Sequence, residues 1–226
     1  MLLDVLNAGS FSWMNLISSI VSSLIVIFVC LPFHEFAHAF VADKLGDRTA
    51  RSYGRLTLNP LAHIDYLGAL MILLVGFGYA KPVPVNYYNL SKPRRDIALV
   101  SLAGPLANII MSFVLLFLFN FIGTGLFGYS DVAYVIMLVL YYAAVINVSL
   151  AVFNLIPVPP LDGSKVLMSL TGSRVAMFME RYGNILYYVV FAAIIVGVLD
   201  KPFSFAVEGI MNALSTIASL PFGLLY

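Results

Sequence analysis

Two imidazoles and a carboxylate fall within five positions of this chain, in the run His34-Glu35-Phe36-Ala37-His38. If the run is helical, His34 and His38 are spaced i and i+4 and lie one above the other on one face. Both rings can then reach one zinc ion, while Glu35 is rotated by roughly 100° around the axis and addresses the space beside it. Zinc lowers the pKa of a bound water towards ~7, and a neighbouring carboxylate can take its proton as general base. On a soluble helix the same pattern would be only a solvated polar stripe. Here it follows a long apolar run, with no formally charged residue from Val5 to Phe33. An unpaired ionisable group at membrane depth costs ~2.5–3.5 kcal/mol or more, so three of them within one turn imply a shared ligand.

The elements that must hold this motif are membrane helices. The chain has 226 residues, 62% of them hydrophobic and 10% charged, with a mean hydropathy of +0.98. Soluble domains carry about 25% charged residues, so the composition predicts an all-α polytopic membrane protein. A formal net charge of +1 offers nothing to nucleic acid. Cys30 is the single cysteine, which rules out an intrachain disulfide or a cysteine zinc cluster, and it is expected to be a small buried apolar residue. Asp4 precedes any Lys or Arg, so the first apolar run is expected to be a retained helix and not a cleaved signal.

That first span is expected from about Phe11 to Ala42, with a kink at Pro32, which cannot donate to the carbonyl of Phe28. The uncharged stretch Tyr66–Ala80 is shorter than the ~20 residues that a full crossing needs. Together with the extended Lys81-Pro82-Val83-Pro84-Val85, it predicts a re-entrant or interfacial extended/β element between the first and second long spans. A second helix is expected over Ile97–Phe121, interrupted near Gly104-Pro105 and Asn108, followed by a turn at Gly123–Ser130. Asn108 suits either an interhelical hydrogen bond or a place at the site. A third helix runs from Val132 to about Leu155 and breaks at Pro157, Pro159 and Pro160. Tyr182–Leu199 is expected as a fourth, and Gly209–Tyr226 as a fifth span or a surface segment. The chain is thus expected to form one membrane-embedded domain, 1–226, with a catalytic core at about 11–165 and C-terminal helices at 166–226.

Eight of the twelve Lys and Arg residues lie between Lys44 and Arg95, and Lys165, Arg174 and Arg181 follow the third span. By the positive-inside rule both regions face the cytoplasm of a cell membrane. The helix bearing His34 and His38 and the helix leading to Asp162 therefore both run inwards and end at similar depth. A zinc hydrolase uses three protein ligands and one open position. Asp162, in the run Phe153–Gly163, shares the depth of the histidine pair and is the preferred third ligand. His63 and Asp65 are its competitors, in a loop region. Asn154 ends the preceding helix, where it can cap the helix or donate to an oxyanion.

HEFAH at the end of a membrane helix, AGPLAN in the next long span and FNLIPVPPLDG after the following one resemble the site-2 protease family of intramembrane zinc metalloproteases. GRLTLNPLAHID and KPVPVN are similar to the short bacterial and archaeal branch that lacks a PDZ domain. The resemblance covers about Val29 to Lys165. It implies one zinc ion held by His34, His38 and Asp162, Glu35 as the catalytic glutamate, and Asn154 near the scissile carbonyl. The family's N-P-D-G pattern reads Pro159-Pro160-Leu161-Asp162-Gly163 here, keeping the aspartate and glycine. The implied reaction is hydrolysis of peptide bonds within or beside transmembrane segments of protein substrates in the bilayer. A zinc carrier or non-proteolytic zinc-binding membrane protein is the alternative, but transport needs polar groups along a path, and here they gather at one depth. The oligomeric state is not specified by any of these features.

Overall fold

The computed structural model describes residues 12–76, 78–124 and 130–223. The first long helix begins at α1 (Trp13–Ile25), capped by the Ser12 hydroxyl, passes through a π-helical turn (Val26–Cys30) and continues as α2 (Leu31–Lys44). The turn is where the expected break at Pro32 is taken up. Pro32 has no N–H for the carbonyl of Phe28, and the Leu31 N–H reaches back to Val26 instead. Asp4 and Phe11 lie outside the described residues.

After the one-turn α3 (Thr49–Ser52) comes α4 (Tyr66–Val75), started by the Asp65 side chain and ended at Gly76 with φ 85°. The expected element at Tyr66–Ala80 is therefore a ten-residue helix followed by non-helical chain. Among the described residues there is no strand, so the β part of the expectation is not met: Pro82 and Pro84 cannot donate to a ladder. α5 (Pro93–Gly123) starts four residues earlier than expected and runs unbroken through Gly104-Pro105. Its start is stabilised by the Asp96 carboxylate, which accepts from the Lys92 N–H at 2.7 Å. α6 (Asp131–Asn154) matches its expected span and is capped by Ser130. Residues 125–129 of the expected turn lie outside the described residues.

The C-terminal helices differ from expectation. α7 (Asp162–Leu170) is short, and α8 (Ser173–Ile195) begins well before Tyr182 and carries Arg174, Glu180 and Arg181. α9 (Asp200–Ser219) starts upstream of Gly209 and continues into a 3₁₀ turn (Leu220–Phe222). Among the described residues, four helices are long and apolar enough to cross a membrane: Trp13–Lys44, Pro93–Gly123, Asp131–Asn154 and Asp200–Phe222. α8 is not one of them, because its charges leave too short an apolar remainder. Residues 224–226 lie outside the described residues.

α5 and α6 form the centre of the bundle, with α1 against α6, α2 and α7 against α5, and α9 against both. Ala143 and Ala144 of α6 are buried in one apolar cluster with Leu116 of α5, Leu150 of α6 and Val26 and Cys30 of the π-helical turn, small side chains that allow the helices to pack closely. Outward, α5 presents Leu106, Ile110, Val114 and Leu118, each more than 40% exposed and four residues apart. A stripe of large apolar side chains on a bundle of such helices is what lipid tails would solvate.

Candidate metal centre

α2 delivers its two histidines to the inner face of the bundle, buried to 4% and 7% exposure. Their Nε2 atoms lie 3.0 Å apart, with the rings edge to face. The chain returns to this point at the first residue of α7, where Asp162 Oδ2 lies 3.1 Å from His38 Nε2 and 3.5 Å from His34 Nε2. Three donor atoms thus converge, within 4.8 Å of one another. His38 Nδ1 is 2.7 Å from the Val100 carbonyl oxygen. That carbonyl can only accept, so Nδ1 carries the proton and the lone pair of Nε2 points at the common centre. Two ring nitrogens and a carboxylate aimed at one point are the donor set that suits zinc.

The space for this arrangement comes from α5. A Cβ on Gly104 would sit 2.6 Å from His34 Nε2 and closer still to His38 Nε2, so the imidazoles occupy the volume that any other residue would fill. Pro105, by lacking an N–H, also leaves the Ser101 carbonyl free of its usual helical donor, and Ser101 lines the adjoining cavity. Gly163 serves α7 in the same way, since a Cβ there would meet the Ile156 carbonyl oxygen at 2.7 Å. The Asp-Gly pair is thus required by a close approach of α7 to the end of α6.

Asp162 is fixed from its other side by Lys165, whose Nζ lies 3.0 Å from Oδ1. Burial works against the Asp162 charge, and the Lys165 ammonium beside Oδ1 favours it. Lys165 shifts upwards: burial pulls it down, and the Asp162 carboxylate more than offsets this. Glu35 is 7% exposed and accepts from the Val83 N–H at 2.9 Å through Oε2. Glu35, the three donors, Val83 and Asn154 all line one cavity of ≈ 640 Å³, walled on another side by Tyr187 and Tyr188 of α8.

The remaining sequence candidates go elsewhere. His63 is buried, with Nε2 2.8 Å from the Thr57 carbonyl oxygen, and Asp65 caps α4 by accepting from the Leu67 and Gly68 N–H groups. Neither joins the donor group. Asn154 is half-buried on the cavity wall, where one amide hydrogen is committed to the Leu150 carbonyl oxygen at 3.0 Å. Cys30 is buried and free, and Asn108 is buried in the bundle away from the cavity lining. Residue-by-residue inspection of the sequence missed Gly104, Val100, Val83 and Lys165. AGPLAN, which holds the first of them, stood out as an interruption of a helix and as part of the family resemblance, with no role given to the glycine.

Comparison with known proteins agrees with this chemistry. The model of peptidase family M50 matches residues 22–134 and 128–197. YwhC of Bacillus subtilis (strain 168), which carries the name of a zinc metalloprotease, is 42% identical over 182 residues, 74% of this chain and 78% of that protein. MJ0611 of Methanocaldococcus jannaschii, with a name of the same kind, is 34% identical over 64% of this chain and 68% of its own length. Rip2 of Mycolicibacterium smegmatis, again named in that way, is 34% identical over 142 residues, and the chain spans about half of its length. No solved structure matches the chain. With a donor set suited to one zinc ion, four membrane-length helices and a family match over most of its length, the chain belongs to peptidase family M50, the site-2 protease family, and is a multi-pass zinc metalloprotease.

Proposed function

We propose that this metalloprotease hydrolyses peptide bonds within or beside the transmembrane segments of other membrane proteins. One observation carries the proposal: the donor triad and Glu35 face a cavity inside a bundle of membrane-length helices, and Pro82, Val83 and Val85 of the non-helical segment 81–86 line one wall of it. His34, His38 and Asp162 would hold one zinc ion. Zinc, when bound there, supplies a Lewis acid and a water of lowered pKa. Glu35 takes the proton of the attacking water and passes it to the leaving amine, its carboxylate aimed by the Val83 N–H. Asn154 keeps one amide hydrogen free of Leu150 and offers it to the carbonyl oxygen of the scissile bond.

A helical substrate hides its carbonyls in its own hydrogen bonds and must unwind before it reacts. Among the described residues, the Val85 N–H and the carbonyls of Val83 and Val85 have no partner. An unwound strand pairing there would lie alongside Glu35. The basic residues between Lys44 and Arg95 support a cytoplasmic position for this side of the bundle, where the path for water is short.

The test is co-expression of the chain with candidate single-span proteins, comparing it with Glu35→Gln. That variant is expected to keep its zinc and lose ~10²–10⁴-fold in cleavage, accumulating uncut clients. Asp162→Ala is expected to lose zinc. Cleavage by Glu35→Gln at the wild-type rate would refute the assignment of the base, and zinc-loaded chain that cuts no membrane client would refute the substrate class.

A further inference from the structure

The non-helical segment 81–86 has little to hold itself in place. Its two prolines cannot donate, it has no strand neighbour, and its backbone bonds go to groups from elsewhere in the chain. Two of those groups come from the connection that follows α2. At the near end, the Arg55 guanidinium donates from one nitrogen to the carbonyl oxygens of Lys81 at 2.8 Å and Pro82 at 3.3 Å. The Lys81 N–H itself donates to the His63 carbonyl at 2.8 Å. At the far end, the buried Asp47 carboxylate accepts from the Asn86 N–H at 2.8 Å and from Asn89 Nδ2 at 2.8 Å. Thr49 fixes the same carboxylate from its own side, through its N–H at 3.1 Å and its hydroxyl. Val83, whose N–H meets Glu35, lies between the two attachments.

The chemistry of the attachments suits a clamp. Hydrogen bonds to ionised groups are about twice as strong as neutral ones, and both clamps use one. A buried carboxylate is costly unless satisfied, so Asp47 is at ease only while Asn86 and Asn89 are in place. The order of the chain adds a second point. The clamping residues directly follow the helix that carries His34, Glu35 and His38, so the segment is registered against the same helix whose glutamate it touches.

We infer that Asp47 and Arg55 are positioning residues, which act through segment 81–86 to hold the Val83 N–H on Glu35 and the Val83–Val85 edge beside the metal-donor site. The catalytic half of this statement rests on the function proposed above; the positional half does not. The test uses the full chain, with Arg55→Gln, Asp47→Ala, the double variant, and Arg51→Gln as control. Arg51, in the same connection, pairs with Asp43 of α2 and makes no hydrogen bond to 81–86.

Hydrogen exchange across residues 81–90 is expected to quicken about tenfold in either clamp variant, with α5 and α6 protected as before. kcat/KM for a single-span substrate is expected to fall about tenfold with zinc content unchanged. Because both residues act on one segment, the double variant is expected to lose little more than the worse single one. Arg51→Gln stays at wild type in every readout. Unchanged exchange overturns the clamp, and so do additive losses; quickened exchange with unchanged cleavage overturns the positioning role. If the wild-type chain cuts no single-span substrate, the proposed function fails while the exchange data still decide the clamp. Arg55→Gln removes a half-buried surface group and serves if Asp47→Ala does not fold.

Discussion

Replacing Gly104 by alanine puts a methyl group into the volume that the two imidazoles occupy. The added carbon would lie 2.6 Å from His34 Nε2 and 2.5 Å from His34 Cε1, with His38 nearer still. To restore ordinary contact His34 must retreat by about 0.9 Å, the difference between 2.5 Å at Cε1 and 3.4 Å. Metal–ligand distances tolerate only ~0.2 Å, so a displacement of this size removes a ligand in practice. Loss of an outer-shell partner already costs 10–100-fold in affinity; a displaced ligand is expected to cost at least ~100-fold, or about 2.8 kcal/mol. If α5 yields instead of the ring, overpacking costs ~1–3 kcal/mol of stability. The assay is zinc stoichiometry under chelator competition, with thermal unfolding of the metal-free chain alongside. Gly209→Ala is the matched control: nothing lies within 4 Å of its Cβ, so zinc is retained, and the helix gains up to ~1 kcal/mol. A Gly104→Ala chain that binds zinc within threefold of wild type would refute the cradle.

Three further outcomes follow from the same geometry. Lys165→Met leaves Asp162 Oδ1 without its cation and is expected to weaken zinc binding ~10–100-fold, read by the same competition assay. His63→Gln is expected to leave zinc content at wild type, because its Nε2 is engaged with Thr57 and it stands outside the donor group; metal loss would place it at the site. Asp47 supplies a pH dependence. Burial alone would raise its pKa, but the hydrogen bonds from Thr49, Asn89 and Asn86 outweigh this and hold it below the usual value. A carboxyl lowered in the folded state contributes stability above its unfolded pKa of ~3.9, which is lost as pH falls through the folded value. Acid unfolding below about pH 4 should therefore be less steep in Asp47→Asn, which urea titrations at several pH values would measure.

The metal centre was legible in part because its ligands obey local rules. A spacing of four on a helix brings His34 and His38 together whatever the rest of the chain does. Length and charge made Asp162 the preferred third ligand over His63 and Asp65: two spans that run in the same direction bring their ends to one depth, although 123 residues lie between His38 and Asp162. The β element failed where such rules are silent, since two prolines permit extended chain but nothing in them supplies a partner strand. The limits of α8 and α9 were missed for a related reason, because helices there start within polar sequence that a search for apolar runs passes over.

Composition and periodicity determined that this chain is a bundle of membrane-length helices with a zinc-type histidine pair at one end, because both follow from hydrophobic burial and helical geometry. Only the tertiary structure decided that Gly104 is the hollow for the imidazoles, that the Val100 carbonyl sets the His38 tautomer, and that the Val83 N–H meets Glu35. Those contacts join segments dozens of residues apart through single backbone atoms. A carbonyl, an N–H and an absent Cβ carry no side-chain signature in sequence, so their roles appear only once packing brings them to the site.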